Sequence, residues 1–332
     1  MRVFITGANG FIGSNLCRHF LDRGWDVGGL VRPTADRHYL DGLPVKLVVG
    51  DLLKPEGFVL PEGLDALVHS ASVVSDFAKD GECRANILRI AETLTEKIRA
   101  LAEPPRRIIV LSTALSLGFA ATNISEDRPG RSAEFLAYTR YKKKSEEYFL
   151  DQWKANRLPI VLLRPGDVYG PRDRTTLIKI IRAIESGFPI IVGRGQKRFA
   201  YLHIDNLCQA VERAILTPGI EGRAYTVTNG ALPTWKQFFG ALMEAVGRKQ
   251  RIIVPAWAAY VWAFLQSSLH ALVPRYTPQL NRYRVMKAAS ETTYDISRTI
   301  ADLGYAPDDD YASQARAMVA WYFEEKKNGF IS

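Results

Sequence analysis

Three tyrosines and three lysines crowd the stretch AYTRYKKKSEEY, from Ala137 to Tyr148. Together these residue types can pass a proton at neutral pH. A free phenol ionises at about 10, too high to exchange protons readily in both directions. A nearby ammonium stabilises the phenolate and lowers that value. A charge run of this kind is also the ordinary make-up of a solvated helix face. Which of Tyr138 and Tyr141 would pair with which of Lys142, Lys143 and Lys144 the run by itself leaves open.

A second chemical signal stands at the start of the chain. TGANGFIG, Thr6 to Gly13, follows an apolar strand pattern and opens a helical one, with Gly7, Gly10 and Gly13 in a G-x-x-G-x-x-G pattern. Glycine permits the turn, lets the backbone approach a pyrophosphate, and leads it to the free N–H groups of a helix N-terminus. The segment from Gly7 through Asn9, Gly10, Phe11 and Ile12 to Gly13 is therefore a candidate dinucleotide cradle. An NAD site would carry a carboxylate at the end of the second strand for the ribose hydroxyls. This chain has Val31 and Arg32 there, with Arg37 nearby. A cation suits the 2′-phosphate of NADP, so NADP(H) is the expected cofactor, with NAD(H) as the alternative. Asp51 and Leu52 follow the third strand pattern, where a carboxylate can meet the adenine amino group.

The elements needed to position these groups are legible in the first half. Short β-branched runs at 2–6, 25–31, 45–49, 65–69, 107–111 and 160–164 alternate with helical patterns, two of them near 83–102 and 134–156. Strands buried on both faces and separated by helices predict an α/β fold with a parallel, doubly wound sheet of the Rossmann type. After Arg164 helical stretches dominate, near 176–186, 205–216, 234–247, 256–272 and 311–326, with short strands near 189–192 and 223–227. The expected division is a nucleotide-binding domain over 1–170 and a smaller substrate lobe over 171–332, some of whose segments return to the main sheet.

Composition agrees with an ordinary globular protein: 332 residues, 47% hydrophobic and 24% charged. Cys17, Cys83 and Cys208 lie far apart, with neither disulfide nor zinc-ligand spacing, so no metal is expected and a reducing, cytoplasmic setting is. No secretion signal is apparent before the first strand pattern. The net charge is +9, yet the basic residues are scattered and no nucleic-acid motif accompanies them. An anionic cofactor, an acidic substrate or an anionic membrane surface accounts for the sign more simply.

In this order and spacing the motifs resemble those of the extended short-chain dehydrogenase/reductase family. Besides TGANGFIG there is VHSAS (68–72), similar to the family's fourth-strand H-x-A-A segment, which implies that Ser70 and Ala71 line the cofactor. Asn86 matches the asparagine of the following helix. LSTALSLG (111–118) resembles S-[ST]-x-x-x-x-G, and RPGDVYGPRD (164–173) resembles R-P-x-x-[VI]-Y-G-P, which implies a cofactor contact at Pro165. YLHIDNL (201–207) is similar to the H-V-D-[DN] segment. The family's Y-x-x-x-K selects Tyr138 with Lys142, since Tyr141 would need a lysine where the chain has Ser145. The resemblance implies that Tyr138 is the proton donor and acceptor, that Lys142 tunes it and holds the nicotinamide ribose, and that Thr113, rather than Ser112, bonds the substrate oxygen. A homodimer would be usual for the family.

Two departures bear on the substrate. Nucleotide-sugar enzymes of the family carry an asparagine where this chain has Asp167, whose charge would repel a diphosphate. KRFAYLHIDN also lacks their usual arginine–aspartate pair, and Asp205-Asn206 looks more like the 3β-hydroxysteroid dehydrogenase and dihydroflavonol reductase branch. PAWAAYVWAFLQSSLHALVP (255–274) is apolar nearly all round, with 18 residues between its prolines, at the lower edge of a membrane span. Three readings compete for it: a buried helical hairpin, a helix lining an apolar pocket and touching a membrane surface, and a true span, which would interrupt the catalytic fold. Trp257, Tyr260, Trp262 and Phe264 suit a pocket or an interface, Arg275 and NRYR (281–284) could meet anionic headgroups, and His270 reads as a local partner rather than a ligand. The expected activity is interconversion of a secondary alcohol and a ketone on a large, mostly apolar substrate, against the alternative of a nucleotide-sugar epimerase or dehydratase with tightly held NAD. A non-catalytic dinucleotide sensor is a third reading.

Overall fold

A computed structural model describes residues 1–73, 75–187, 191–249, 253–272 and 281–331, apart from the side chains of 267 and 270–272. In chain order the elements begin with β1 (Arg2–Thr6), α1 (Phe11–Asp22), β2 (Asp26–Val31), β3 (Lys46–Val49) and β4 (Ala66–His69). Next come α2 (Asp80–Cys83), a π-helical stretch over Arg84–Arg89, α3 (Ile90–Arg99), β5 (Arg107–Leu111), a 3₁₀ turn over Ala114–Leu117, α4 (Ala137–Asn156) and β6 (Ile160–Pro165). The second half holds β7 (Asp167–Tyr169), α5 (Leu177–Glu185), β8 (Ile191–Val192), β9 (Tyr201–His203), α6 (Ile204–Leu216) and β10 (Ala224–Val227). It ends with α7 (Trp235–Val246), β11 (Ile253–Val254), α8 (Ala256–Leu272), α9 (Arg282–Ala289), α10 (Ser297–Leu303) and α11 (Tyr311–Lys327).

Seven parallel strands form the main sheet in the order β10-β6-β5-β4-β1-β2-β3. Alternate residues of one strand feed the two faces. Val3 and Ile5 pack with Leu16, Phe20, Leu207 and Val211 of α1 and α6, whereas Phe4 packs with Leu67, Ile90, Leu94, Ile108 and Phe149 on the side of α3 and α4. The expected Rossmann-type sheet is therefore present. Its strand order reverses between β1 and β4, and the crevice outside the carboxyl ends of strands at such a point is where this architecture binds ligands.

The later segments divide between two cores. β10 extends the main sheet, α6 packs beneath it, and Thr299 of α10 donates to the Thr226 carbonyl at 2.6 Å. The separate lobe has its own core, in which Leu177, Ile181, Phe238, Leu242, Met318 and Tyr322 of α5, α7 and α11 meet Phe199 from just before β9. Pairs β7–β9 and β8–β11 are short parallel ladders between these bodies.

The described part of the long apolar segment is not fully buried. Among the described residues no helix is long and apolar enough to cross a membrane. Ala259 and Ala263 on one face of α8 pack with Val192 and with Val285 of α9, and Gln266 is buried on the same face. The large side chains on the other faces are exposed, so only a small-residue stripe drives the packing. Residues 273–280, with Arg275, and the side chain of His270 lie outside the described residues.

Gly13 shows how tightly the first turn is built: a Cβ there would stand 2.1 Å from the Gly7 carbonyl oxygen and 2.8 Å from Ala8 Cα. Since backbone would have to move, Gly13→Ala is expected to cost about 1–3 kcal/mol in stability. A urea-unfolding midpoint equal to that of the wild type would contradict this packing.

Candidate active site

The turn after β1 and the end of β4 meet at the crevice. Gly7 adopts φ +70°, which most side chains disfavour, and a Cβ there would come 3.0 Å from the Cα of Ala71. Gly7 N–H donates to the Leu30 carbonyl at 3.2 Å, and Gly10 N–H to the Gly7 carbonyl at 3.0 Å. This turn delivers the chain to Gly10, the N-cap of α1, which has no side chain to occupy the cap position. The first-turn N–H groups of Phe11, Ile12 and Gly13 have no acceptor within the helix and are suited to an anion. Asn9 donates to the Asp36 carbonyl at 3.2 Å, folding the loop after β2 over the glycine turn.

Ser70 and Ala71 stand at this crevice, and both serve the fold there. Ser70 Oγ donates to the Thr6 carbonyl at 2.7 Å, and Thr6 Oγ1 bonds His69 Nδ1 at 2.8 Å. Burial, with a lesser push from the Lys142 charge, takes His69 down to about 3, so it is neutral. Asp51 accepts from Leu53 N–H at 2.9 Å, Leu52 is buried in the core, and Pro165 ends β6. Arg32 is exposed just after β2, and no carboxylate pairs with it or with Arg37 among the described residues. Asp36, next to Arg37 in that loop, is engaged by Arg174 at 2.5 Å and by His38 N–H at 3.0 Å. A cradle of small residues and a helix N-terminus thus fit a dinucleotide, with Arg32 exposed beside them.

On the other side of the crevice, α4 carries Tyr138 and Lys142 one turn apart. Tyr138 is half-buried. Desolvation raises its phenol well above the usual value, while the Thr113 hydroxyl facing it opposes the rise and Tyr283, Asp76 and Cys83 add to it. This differs from the expectation of a lowered phenol: in the protein alone, burial outweighs any help from a cation. Thr113 caps the 3₁₀ turn that follows β5, accepting from Leu115 N–H at 3.3 Å. Ser112 points elsewhere, donating to Glu146 at 2.5 Å. Tyr141 lies toward solvent beneath Lys144, and Lys143 pairs with Glu134 at 2.8 Å.

Lys142 is buried, and its Nζ donates to the Leu111 carbonyl at 2.9 Å. Burial brings the ammonium down to about 8, against the attraction of Glu146 one turn further along α4. Glu146 is itself clamped. It accepts from Ser112, from Ser116 at 3.0 Å, and from both Nε and Nη2 of Arg164 at 2.9 and 2.7 Å. Arg164 reaches on to Glu126 at 2.6 Å. The Lys142–Glu146 spacing was readable in the sequence, but nothing there singled out Glu146.

Residues far apart in sequence complete the far wall. Tyr283 of α9 joins Phe119, Leu136 and Ala133 in an apolar cluster, with Leu115 and Met286 against it. Asp167 is ion-paired with Lys287, also of α9, which lies over the Tyr283 ring. The expected repulsive charge is therefore neutralised by a cation more than one hundred residues away, as the 120-residue separation records. Arg284 binds Asp76 at 2.7 Å. Asn86 lies in the π-helical stretch and donates to the Glu82 carbonyl at 3.0 Å. Cys17, Cys83 and Cys208 are buried free thiols, and no group of side chains among the described residues could hold a metal.

The depressed Lys142 has a consequence for stability. Its folded value, about 8, lies below the ordinary 10.5, so its burial weighs against folding below pH 8, and that penalty fades between the two values. Lys142→Met is expected to raise the unfolding temperature at neutral pH, by a margin that shrinks as the pH approaches 10.5. Equal destabilisation at both ends of that range would count against a desolvated ammonium.

Comparison with known proteins identifies the family. Residues 3–228 match the model of the NAD dependent epimerase/dehydratase family. A 4-hydroxy-2-methyl-3-oxo-4-farnesyl-3,4-dihydroquinoline-1-oxide ketoreductase of Stigmatella aurantiaca is 31% identical over 320 residues, 92% of each chain. A 3 beta-hydroxysteroid dehydrogenase/Delta 5-->4-isomerase of Mycobacterium tuberculosis is 25% identical, over 92% of this chain and 86% of that one. The solved UDP-glucuronic acid 4-epimerase of Bacillus cereus, in complex with NAD, superposes with a TM-score of 0.78 over 98% of both chains at 20% identity, a likeness of fold. The chain belongs to the NAD dependent epimerase/dehydratase family and is an oxidoreductase of the extended short-chain dehydrogenase/reductase type.

Proposed function

We propose that this protein is an NADP(H)-preferring ketoreductase acting on a large, mostly apolar substrate. The observation that carries the reading is Tyr138, protonated and facing Thr113, one turn before a buried ammonium at Lys142. When bound, a reduced nicotinamide cofactor would supply the hydride to the carbonyl carbon. Tyr138 gives its phenol proton to the carbonyl oxygen, which becomes the hydroxyl of the product alcohol. Thr113 donates a hydrogen bond to that oxygen and orients it. Lys142, held against the Leu111 carbonyl, would offer its remaining N–H donors to the nicotinamide ribose and stabilise the phenolate left behind. The raised phenol suits reduction, because the donor is protonated at neutral pH. In the oxidative direction the same groups run in reverse.

The apolar wall of Phe119, Leu136, Tyr283 and Met286 supports a substrate with little charge. So does the farnesyl-bearing ketone in the name of the Stigmatella relative. A nucleotide sugar is the weaker reading. Asp167 no longer argues against a diphosphate once Lys287 neutralises it, but Lys287 and Arg284 are both committed to carboxylates at this wall. Protein purified with retained NAD, or binding a UDP-sugar, would favour that alternative.

Tyr138→Phe is expected to lower turnover of a β-keto lipid or steroid ketone by roughly a thousandfold while leaving cofactor affinity intact, the scale of a lost general acid. Unchanged turnover would refute the assignment. For the cofactor, thermal shift should show tighter binding of NADP than of NAD, and Arg32→Ser should remove most of that preference. Tighter binding of NAD by the wild type would overturn the role given to Arg32.

A further inference from the structure

We propose that the outer face of α8 is a docking surface for an anionic lipid bilayer, with the helix lying in the plane of the membrane. The surface stands apart from the reaction proposed above and does not depend on it. Trp257 is 72% exposed and Phe264 71%, and Val261, Trp262 and Leu265 are each 53% exposed. These side chains, with Tyr260, cover most of the helix circumference, while its narrow buried stripe is Ala259, Ala263 and Gln266. A contiguous apolar face of this size is rare on a water-exposed monomer. Tryptophan and tyrosine beside aliphatic residues are the side chains that favour the membrane–water boundary. The helix does not cross a bilayer, because its stripe of small residues is fastened to α9 and β8.

The charge distribution selects the occupant. From Ala245 to Ser290 the sequence has no aspartate or glutamate but seven lysines and arginines. Lys287 and Arg284 turn inward to Asp167 and Asp76. Lys249 before the helix and Arg282 after it are exposed without a carboxylate partner among the described residues. Arg194, also exposed, sits beside Gly193, whose N–H donates to the Val254 carbonyl just before α8. A second copy of this chain, meeting the face across a two-fold axis, would set these cations against themselves. Anionic headgroups complement them, while the aromatic face enters the acyl boundary. α9 joins this surface to the site, packing on α8 through Val285 and Ala288 and presenting Tyr283 and Lys287 to the crevice.

The test is co-sedimentation of the full chain with phosphatidylcholine vesicles, with and without phosphatidylglycerol. The wild type should sediment with the phosphatidylglycerol vesicles, more weakly at high salt, and its tryptophan emission should shift to the blue. The double variant Trp257→Glu, Phe264→Glu should partition about tenfold or more weakly with unchanged thermal unfolding. Lys249→Glu with Arg282→Glu should weaken only the phosphatidylglycerol-dependent part. A wild type that stays in the supernatant with both vesicles and shows no blue shift would overturn the proposal. So would a dimer in sedimentation velocity that Trp257→Glu, Phe264→Glu converts to monomer, since the face would then belong to a second copy.

Discussion

An ammonium taken out of water has to be held by dipoles and charges of the protein, or it loses its proton. Lys142 is in that position, and much of the surrounding structure serves it. The Leu111 carbonyl at the end of β5 takes one of its hydrogens, and Glu146 opposes the cost of burial from the next turn of α4. Glu146 would be an equally costly buried charge without Arg164 of β6 and the hydroxyls of Ser112 and Ser116. One network therefore ties α4 to the carboxyl ends of two adjacent strands. Tyr138, a turn earlier on the same helix, is thereby set against Thr113.

The same strand ends organise the cofactor side. Reversal of strand order between β1 and β4 opens the crevice, and the glycine turn crosses it with backbone so close that Gly13 has no room for a methyl group. Thr6, His69 and Ser70 lock the two strand ends together. Positive φ at Gly7 and the bare N-cap at Gly10 place the first N–H groups of α1 at the mouth. Candidate proton donor and candidate cofactor cradle thus face each other across the switch of a single sheet.

Much of this was legible in the sequence because it is local. Strand runs such as RVFIT and RIIVL are apolar throughout, as strands buried on both faces must be, and TGANGFIG carries its turn chemistry in its own residues. Tyr138 and Lys142 were readable as a pair because helix geometry converts a spacing of four into a shared face. What escaped depends on distance. Asp167 read as a bare negative charge because Lys287, which neutralises it, lies 120 residues away. Tyr283 and Arg284 reach the site only through the packing of α9. The apolar helix at 256–272 was ambiguous because periodicity shows weakly when both faces are apolar, and only the fold reveals that its small residues face inward. The phenol's upward shift was hidden because desolvation is a property of the assembled site.

The most direct test of the account is an NMR titration of the Lys142 ammonium in the intact, cofactor-free protein. It predicts a midpoint near 8, moving lower in Glu146→Gln as the opposing carboxylate is lost. A midpoint at or above the ordinary 10.5, unmoved by that substitution, would contradict it.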